Sequence, residues 1–168
     1  AKRFSDYSSG GKYVYMSRDP RDIMVSLYHQ VTGRFRDFFE YRGSISDFIR
    51  DDYFGASNLR TFRVHWNELC RLGLAHQISY EQCHENFYDV LRNLLDYYEI
   101  KVDSDRLVEA ISASSFKAMR EREIAGDFPE PWLRPRNGFL KTRVGRARDF
   151  HLSLSQEDIE YLDSMFGL

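Results

Sequence analysis

The sequence predicts an α/β domain in which a parallel sheet is flanked by helices. The first strand is predicted at residues 13–17, an apolar and aromatic run without alternation, as expected of a strand buried on both faces. A weaker strand candidate follows at residues 74–79, after segments with helical periodicity, and this alternation of strands and helices favours the α/β class. Ligands of such folds bind beyond the carboxyl ends of the strands. Arg18 and Tyr80 follow those two ends, so we expect them to share a site.

Length and composition indicate one folded domain over residues 1–168. The hydrophobic fraction is 42%, and no apolar run reaches the roughly 20 residues that cross a membrane. The first residues lack the apolar core of a signal peptide. Only two cysteines occur, which fits a reducing compartment, so a cytoplasmic location is expected. The net charge of −2 argues against wholesale binding of nucleic acid.

The segment after the first strand carries strong signals for the start of a helix. Asp19 is a good N-cap, Pro20 suits the first helical position, and Asp22 favours the positive end of the helix. Gly33 is predicted to end this helix. Its buried face is predicted from apolar residues at helical spacing, namely Met24, Leu27, Tyr28 and Val31.

Capping residues, periodicity and breaks predict the later helices. Two helices are expected to open with capping boxes, formed by Ser44 with Asp47 and by Ser155 with Asp158. Four helices are expected between them. Three span residues 59–70, with an end near Gly73, residues 84–98 and residues 104–111, and the fourth follows Ser114, which is its predicted N-cap. Three prolines make residues 128–136 an irregular stretch.

The layout around Arg18 indicates a phosphate site. Arg18 directly follows the strand, and Ser26 lies two turns into the next helix. A planar guanidinium can bind two phosphate oxygens, a serine hydroxyl adds a neutral donor, and the helix N-terminus adds positive potential. The structural alternative is an ordinary ion pair between Arg18 and Asp22.

A cationic stretch near the carboxyl end strengthens this prediction. Its six basic residues have no acidic residue among them: Arg134, Arg136, Lys141, Arg143, Arg146 and Arg148. On a mildly acidic protein, such a stretch suits a small polyanion better than a long duplex. A solvated arginine-rich loop is the simpler alternative, and binding of RNA or heparin through these residues alone conflicts with the acidic total.

Residues 15–29, Tyr-Met-Ser-Arg-Asp-Pro-Arg-Asp-Ile-Met-Val-Ser-Leu-Tyr-His, resemble the 3′-phosphate motif of sulfotransferases that use 3′-phosphoadenylyl sulfate (PAPS). The resemblance implies that Arg18 and Ser26 bind the 3′-phosphate of this cosubstrate. It also implies the carboxyl-terminal portion of a three-layer α/β fold of the P-loop nucleotide hydrolase type, and a chemistry that needs no metal.

Three further segments resemble the family and imply further cofactor contacts. Tyr80, in Ser-Tyr-Glu-Gln, would contact the adenine; Phe116, in Ser-Ser-Phe-Lys-Ala-Met, would stack on it, and Ser114 would add a polar contact. Residues 141–150 are similar to a glycine-containing phosphate segment in which Arg143 and Gly145 match. Val144 stands there where a lysine or arginine is common. The implied cofactor-binding set is Arg18, Ser26, Tyr80, Ser114, Phe116, Arg143, Val144 and Gly145.

The family's loop Pro-Lys-Ser-Gly-Thr-Thr-Trp does not occur in this sequence, and no histidine precedes Tyr13. The resemblance therefore implies a phosphosulfate loop and a catalytic base upstream of Ala1, and no catalytic residue is predicted within the chain. The implied reaction transfers a sulfonate group to a hydroxyl or amine of a small-molecule, lipid or carbohydrate acceptor. A binding module for a nucleotide or polyanion, without the chemistry, is the alternative. Acceptor contacts are expected from residues 34–60, where Phe35, Phe38, Phe39 and Tyr41 cluster, and near Trp132. A homo-oligomer is compatible with the sequence.

Overall fold

Two parallel strands form the sheet that carries the site. The computed structural model describes residues 10–142, 145 and 148–168. In it, β1 (Tyr13–Ser17) pairs with β2 (Ala75–Ser79) in parallel, so that Ser17 lies opposite Ser79. Both predicted strands are confirmed, as is the α/β class with a parallel sheet flanked by helices. The two carboxyl ends therefore meet at one edge, directly before Arg18 and Tyr80.

Nine α-helices surround these strands in the part of the chain that the structure describes. They are α1 (Pro20–His29), α2 (Arg36–Phe39), α3 (Ile45–Arg50), α4 (Ala56–Arg71), α5 (Tyr80–Glu85), α6 (Phe87–Tyr97), α7 (Ser104–Ala113), α8 (Phe116–Ala125) and α9 (Gln156–Phe166). A π-helical segment spans Gln30–Arg34, and short 3₁₀ turns span Pro131–Leu133 and Phe150–Leu152. Over the described residues, no helix combines the length and the apolar character that crossing a bilayer requires.

The capping boxes predicted at α3 and α9 are both confirmed. Ser44 accepts a hydrogen bond from the Asp47 N–H, and the Asp47 carboxylate accepts one from the Ser44 N–H. Ser155 and Asp158 make the same reciprocal pair at the start of α9. Both helices therefore begin where the local sequence satisfies their unpaired N–H groups.

Gly33 was predicted to end the first helix; the regular α-helical part ends earlier, at His29, and the helical path ends one residue later, at Arg34. The helical path continues from α1 through the π-helical segment, where the Phe35 N–H donates to the Gln30 carbonyl oxygen at 2.9 Å. A Cβ atom at Gly33 would lie 3.1 Å from the Phe139 ring. The glycine at this position therefore allows a loop aromatic to approach the helix.

Two other helix boundaries differ from the prediction. The single helix expected over residues 84–98 is two helices, because the capping box of Ser79 with Gln82 starts α5 directly after β2. Asn86 then interrupts the path and accepts the Asp89 N–H to open α6. Ser115, not Ser114, is the N-cap of α8, and Ser114 instead ends α7.

The main hydrophobic core lies between α1, α3, α4 and α9. Its fully buried centre includes Met24, Phe48, Ile49 and Leu162. The predicted buried face of α1 is correct for Met24 and Val31 but not for Leu27, which is exposed. β1 is covered on one face only: Tyr15 is buried beneath α4, whereas the next side chain, Met16, is 54% exposed.

Candidate functional site

Arg18 is fixed at the end of β1 by contacts to its backbone and its neighbours. Its carbonyl oxygen accepts a hydrogen bond from the Arg63 guanidinium on α4 at 2.9 Å. The next residue, Asp19, caps α1 and donates its own N–H to Glu81 at 2.9 Å. Since Glu81 follows Tyr80 on α5, this bond ties together the chain segments that leave the two strands. The site therefore begins from a rigid strand end.

The Arg18 side chain lies among three predicted partners. Its Nη1 donates to Ser26 Oγ at 3.3 Å, and its guanidinium carbon lies 4.1 Å from the centre of the Tyr80 ring. The expected alternative is also present, because Nη2 lies 3.6 Å from the Asp22 carboxylate. The buried Nε atom has no hydrogen-bond partner among the described residues. A buried guanidinium donor without a partner suits an anionic ligand.

Arg18, Ser26 and Tyr80 line one cavity of about 520 Å³. Its other lining residues are His29, Gln30, Phe139, Leu140 and Lys141. A volume of this size is typical of pockets for small molecules and cofactors. His29 and Leu140 were not among the residues predicted for the site. The helical spacing of Ser26 and His29, three residues apart, was the available signal that both face the same space.

A second cavity, of about 390 Å³, lies beside β2 and has a different character. Among the described residues, its lining contains no arginine or lysine and includes Glu85 and Asp89. An acidic lining disfavours a phosphate. The cavity at Arg18 is therefore the better nucleotide site of these two.

Part of the predicted cationic stretch has a structural role. Arg134 donates from Nε to the Phe128 carbonyl oxygen at 2.7 Å, and Arg136 pairs with Asp37 at 2.9 Å. The buried Arg34 donates to the carbonyl oxygens of Trp132 and Arg134, and burial lowers its pKa. These bonds hold the proline-rich segment, and Lys141 is the member of the stretch that lines the cavity among those the structure describes.

Three other predicted cofactor contacts, Ser114, Phe116 and Gly145, lie outside this cavity lining. The Phe116 ring, 41% exposed, lies directly against Gly145, where an added Cβ would come within 2.3 Å of it. Gly145 has a φ of +69°, in the left-handed region. Ser114 donates its hydroxyl to the Ile111 carbonyl oxygen and is exposed. These three residues do not contribute to the cavity lining at Arg18, and the predicted contacts Arg143 and Val144 lie outside the described residues.

Comparison with known proteins gives these observations a family context. The family model described as "Sulfotransferase domain" matches residues 6–167. Human sulfotransferase 2B1 is 25% identical over 173 aligned positions, which cover 96% of this chain and 46% of that protein. The mouse sulfotransferase 2B1 is 22% identical and is covered to 50%. The chain thus spans about half the length of the curated relatives it matches.

Two solved structures share the fold. The mouse sulfotransferase SULT7A1 in complex with PAP superposes with a TM-score of 0.73 at 18% identity, covering 92% of this chain and 56% of the other. Retinol dehydratase in complex with androsterone and the inactive cofactor PAP gives 0.71 at 16% identity, covering 93% and 46%. Because the family model spans nearly the whole sequence, this chain belongs to the sulfotransferase domain family.

Proposed function

We propose that this domain binds 3′-phosphoadenylyl sulfate and serves a sulfotransferase that modifies a hydroxyl or amine group. The observation that carries the proposal is the surroundings of the Arg18 guanidinium. Arg18 lines a cavity of about 520 Å³ and its guanidinium lies beside Ser26 and against Tyr80, while its buried Nε donor has no partner among the residues that the structure describes. These residues fit a doubly charged phosphate on a nucleotide.

Each residue of the site has a distinct role in this proposal. Arg18 and Ser26 bind the 3′-phosphate, and Lys141, which lines the same cavity, adds a second positive charge. Tyr80 and Phe116 pack against the adenine, with Ser114 as a polar neighbour. Arg143, Val144 and Gly145 complete the phosphate contacts on the strength of the sequence motif. When bound, the donor supplies the sulfonate group that an acceptor oxygen or nitrogen attacks in line.

We propose a small apolar molecule as the acceptor; a lipid or a carbohydrate is the alternative. Aromatic rings cluster in the region predicted to contact it: Phe38 with Phe39 at 5.7 Å, and Phe39 with Phe54 at 5.3 Å between ring centres. Phe38 is among the exposed large hydrophobic residues. The structures of retinol dehydratase with androsterone and with retinol support an apolar acceptor by analogy.

We also propose a cytoplasmic location. Cys70 and Cys83 are both free, and burial raises the pKa of each thiol. A raised thiol pKa keeps the sulfur protonated and unreactive at neutral pH. Two separate, unreactive thiols fit a protein of a reducing compartment.

Two experiments on the purified protein test the proposal. Calorimetric titration with adenosine 3′,5′-bisphosphate and with adenosine 5′-monophosphate is expected to show at least roughly tenfold tighter binding of the bisphosphate, since a charged hydrogen bond contributes about 1.5–3 kcal/mol. Equal affinities would overturn the proposed 3′-phosphate site. Transfer of labelled sulfonate from PAPS to a panel of alcohols and amines then tests the enzyme. Tight bisphosphate binding without transfer to any acceptor would favour the binding module instead.

A further inference from the structure

Two buried carboxylates of the described residues bind main-chain N–H groups near the cavity, and neither lines it. Asp22, on α1, is 2% exposed, and Glu123, on α8, is 1% exposed. A buried charge is costly unless it is fully hydrogen-bonded, so the partners of each carboxylate indicate what it holds in place.

Asp22 accepts three successive N–H groups. They belong to Arg148, Asp149 and Phe150, at 2.6, 3.0 and 3.1 Å. The same carboxylate lies 3.6 Å from the Arg18 guanidinium. One side chain thus joins the phosphate-binding arginine to a backbone segment 126 positions further along the chain.

Glu123 holds the other segment in the same way. It accepts the N–H groups of Lys141 and Thr142, the latter at 2.9 Å, and the Thr142 hydroxyl at 2.6 Å. Burial alone would raise the pKa of Glu123, but the bonds from Thr142 and from these N–H groups lower it, so the side chain is a carboxylate at neutral pH. Lys141, one of the residues that line the cavity, is thereby fixed at its backbone, and its ammonium lies 5.5 Å from the centre of the Trp132 ring.

We infer that Asp22 and Glu123 are positioning residues for recognition of the 3′-phosphate. They act through the backbone of residues 141–142 and 148–150 and set where Lys141 lies relative to Arg18. This inference rests on the proposed function. Their partners are main-chain N–H groups, apart from the Thr142 hydroxyl at Glu123 and the Arg18 guanidinium at Asp22. The position of Lys141 therefore depends on the two carboxylates and, in the loop sequence, on Thr142.

The test compares Asp22→Asn and Glu123→Gln with the unsubstituted protein. Each change keeps the shape of the side chain and removes the charge that accepts the N–H groups. Affinity for adenosine 3′,5′-bisphosphate, measured by calorimetry, is expected to fall roughly tenfold, as when an outer hydrogen-bond partner is lost at a metal site. Affinity for adenosine 5′-monophosphate is expected to stay within about twofold.

Asp158→Asn is the matched control. Asp158 is also 2% exposed and hydrogen-bonded, to Ser46, Arg50 and Ser155, but it joins α3 to α9 away from the cavity. Its loss is expected to lower the melting temperature and leave the preference for the bisphosphate unchanged. Thr142→Val provides a milder test, because it removes one donor to Glu123, and is expected to lower the preference by a smaller factor.

The outcomes separate the two proposals. If the unsubstituted protein does not prefer the bisphosphate, the proposed function fails. If it does and Asp22→Asn, Glu123→Gln and Thr142→Val keep the same preference, the inference is wrong. An equal loss of affinity for both nucleotides would show that the carboxylates only stabilise the fold, and would also overturn the inference.

Discussion

The cavity has two walls that are built differently. We call them the strand wall and the loop wall; the strand wall consists of Arg18, Ser26 and Tyr80, and the loop wall of Phe139, Leu140 and Lys141. The strand wall depends on two parallel strands that end in register and on a serine eight residues after the arginine. The loop wall depends on bonds between segments distant in sequence, such as those of Arg34 to Trp132 and Arg134. Local sequence signals therefore mark the residues of the strand wall, which strand pairing brings together, whereas the loop wall carries no such signals.

Removing Arg18 breaks the strand wall and has the largest expected effect. Arg18→Ala is expected to weaken binding of adenosine 3′,5′-bisphosphate about 100-fold, the loss of a charged hydrogen bond worth roughly 3 kcal/mol. Arg18→Lys keeps the charge but not the planar fork, so an intermediate loss is expected. Calorimetric titration measures both. Unchanged affinity of Arg18→Ala would remove this residue from the site.

Gly145→Ala tests the chain just beyond the loop wall. A positive φ costs an alanine about 1 kcal/mol, and the new methyl group meets the Phe116 ring, so a total destabilisation of about 2 kcal/mol is expected in urea unfolding.

Gly126→Ala is the control for that measurement. Gly126 has the same φ of +69° with no atom within 4 Å of an added Cβ, so about 1 kcal/mol is expected there. The difference between the two variants isolates the contact with Phe116. Equal losses would mean that Phe116 does not lie against Gly145.

Substitutions of Tyr80 also test the strand wall, and a smaller effect on bisphosphate affinity is expected. Its ring faces the Arg18 guanidinium, and such a contact contributes about 0.5–1 kcal/mol when it is partly exposed. Tyr80→Leu is therefore expected to weaken bisphosphate binding roughly two- to fivefold, whereas Tyr80→Phe keeps the ring and the affinity. A loss in Tyr80→Phe equal to that in Tyr80→Leu would assign the effect to the hydroxyl group.

The smallest expected effect is the pH dependence of the stability that Glu123 contributes beside the loop wall. The pKa of Glu123 is lowered in the folded protein, so its contribution to stability is complete above the ordinary value of 4.5 and is lost as the pH falls through the folded value. Glu123→Gln lacks this contribution. The difference in unfolding free energy between the unsubstituted protein and Glu123→Gln is expected to shrink as the pH drops below about 4.5. A difference that is constant with pH would contradict the lowered pKa.

Local signals predicted much of the fold. The strand at residues 13–17 and the capping boxes at Ser44 and Ser155 are confirmed, because each depends on neighbouring residues alone. The break at Asn86 was not predicted, because the asparagine cap that opens α6 was not recognised. The π-helical turn at residues 30–34 was not predicted either, and it places the end of the helical path at Arg34, one residue beyond Gly33.

The residues of the site also fall into those that local signals predicted and those that they did not. The 3′-phosphate motif predicted Arg18 and Ser26, a separate segment predicted Tyr80, and the structure brings these three together. The roles of Asp22 and Glu123 could not be predicted, because their partners lie 126 and 18 positions away, respectively, and are backbone groups without a sequence signature. A carboxylate that binds an N–H group has the same appearance in a sequence as one on the surface.

A crystal structure of the protein with adenosine 3′,5′-bisphosphate tests the central claim most directly. The 3′-phosphate is expected within hydrogen-bonding distance of the Arg18 guanidinium and the Ser26 hydroxyl, with the Lys141 ammonium facing it from the loop wall. A nucleotide bound elsewhere, or with its 3′-phosphate turned toward solvent and the space beside Arg18 empty, would contradict it.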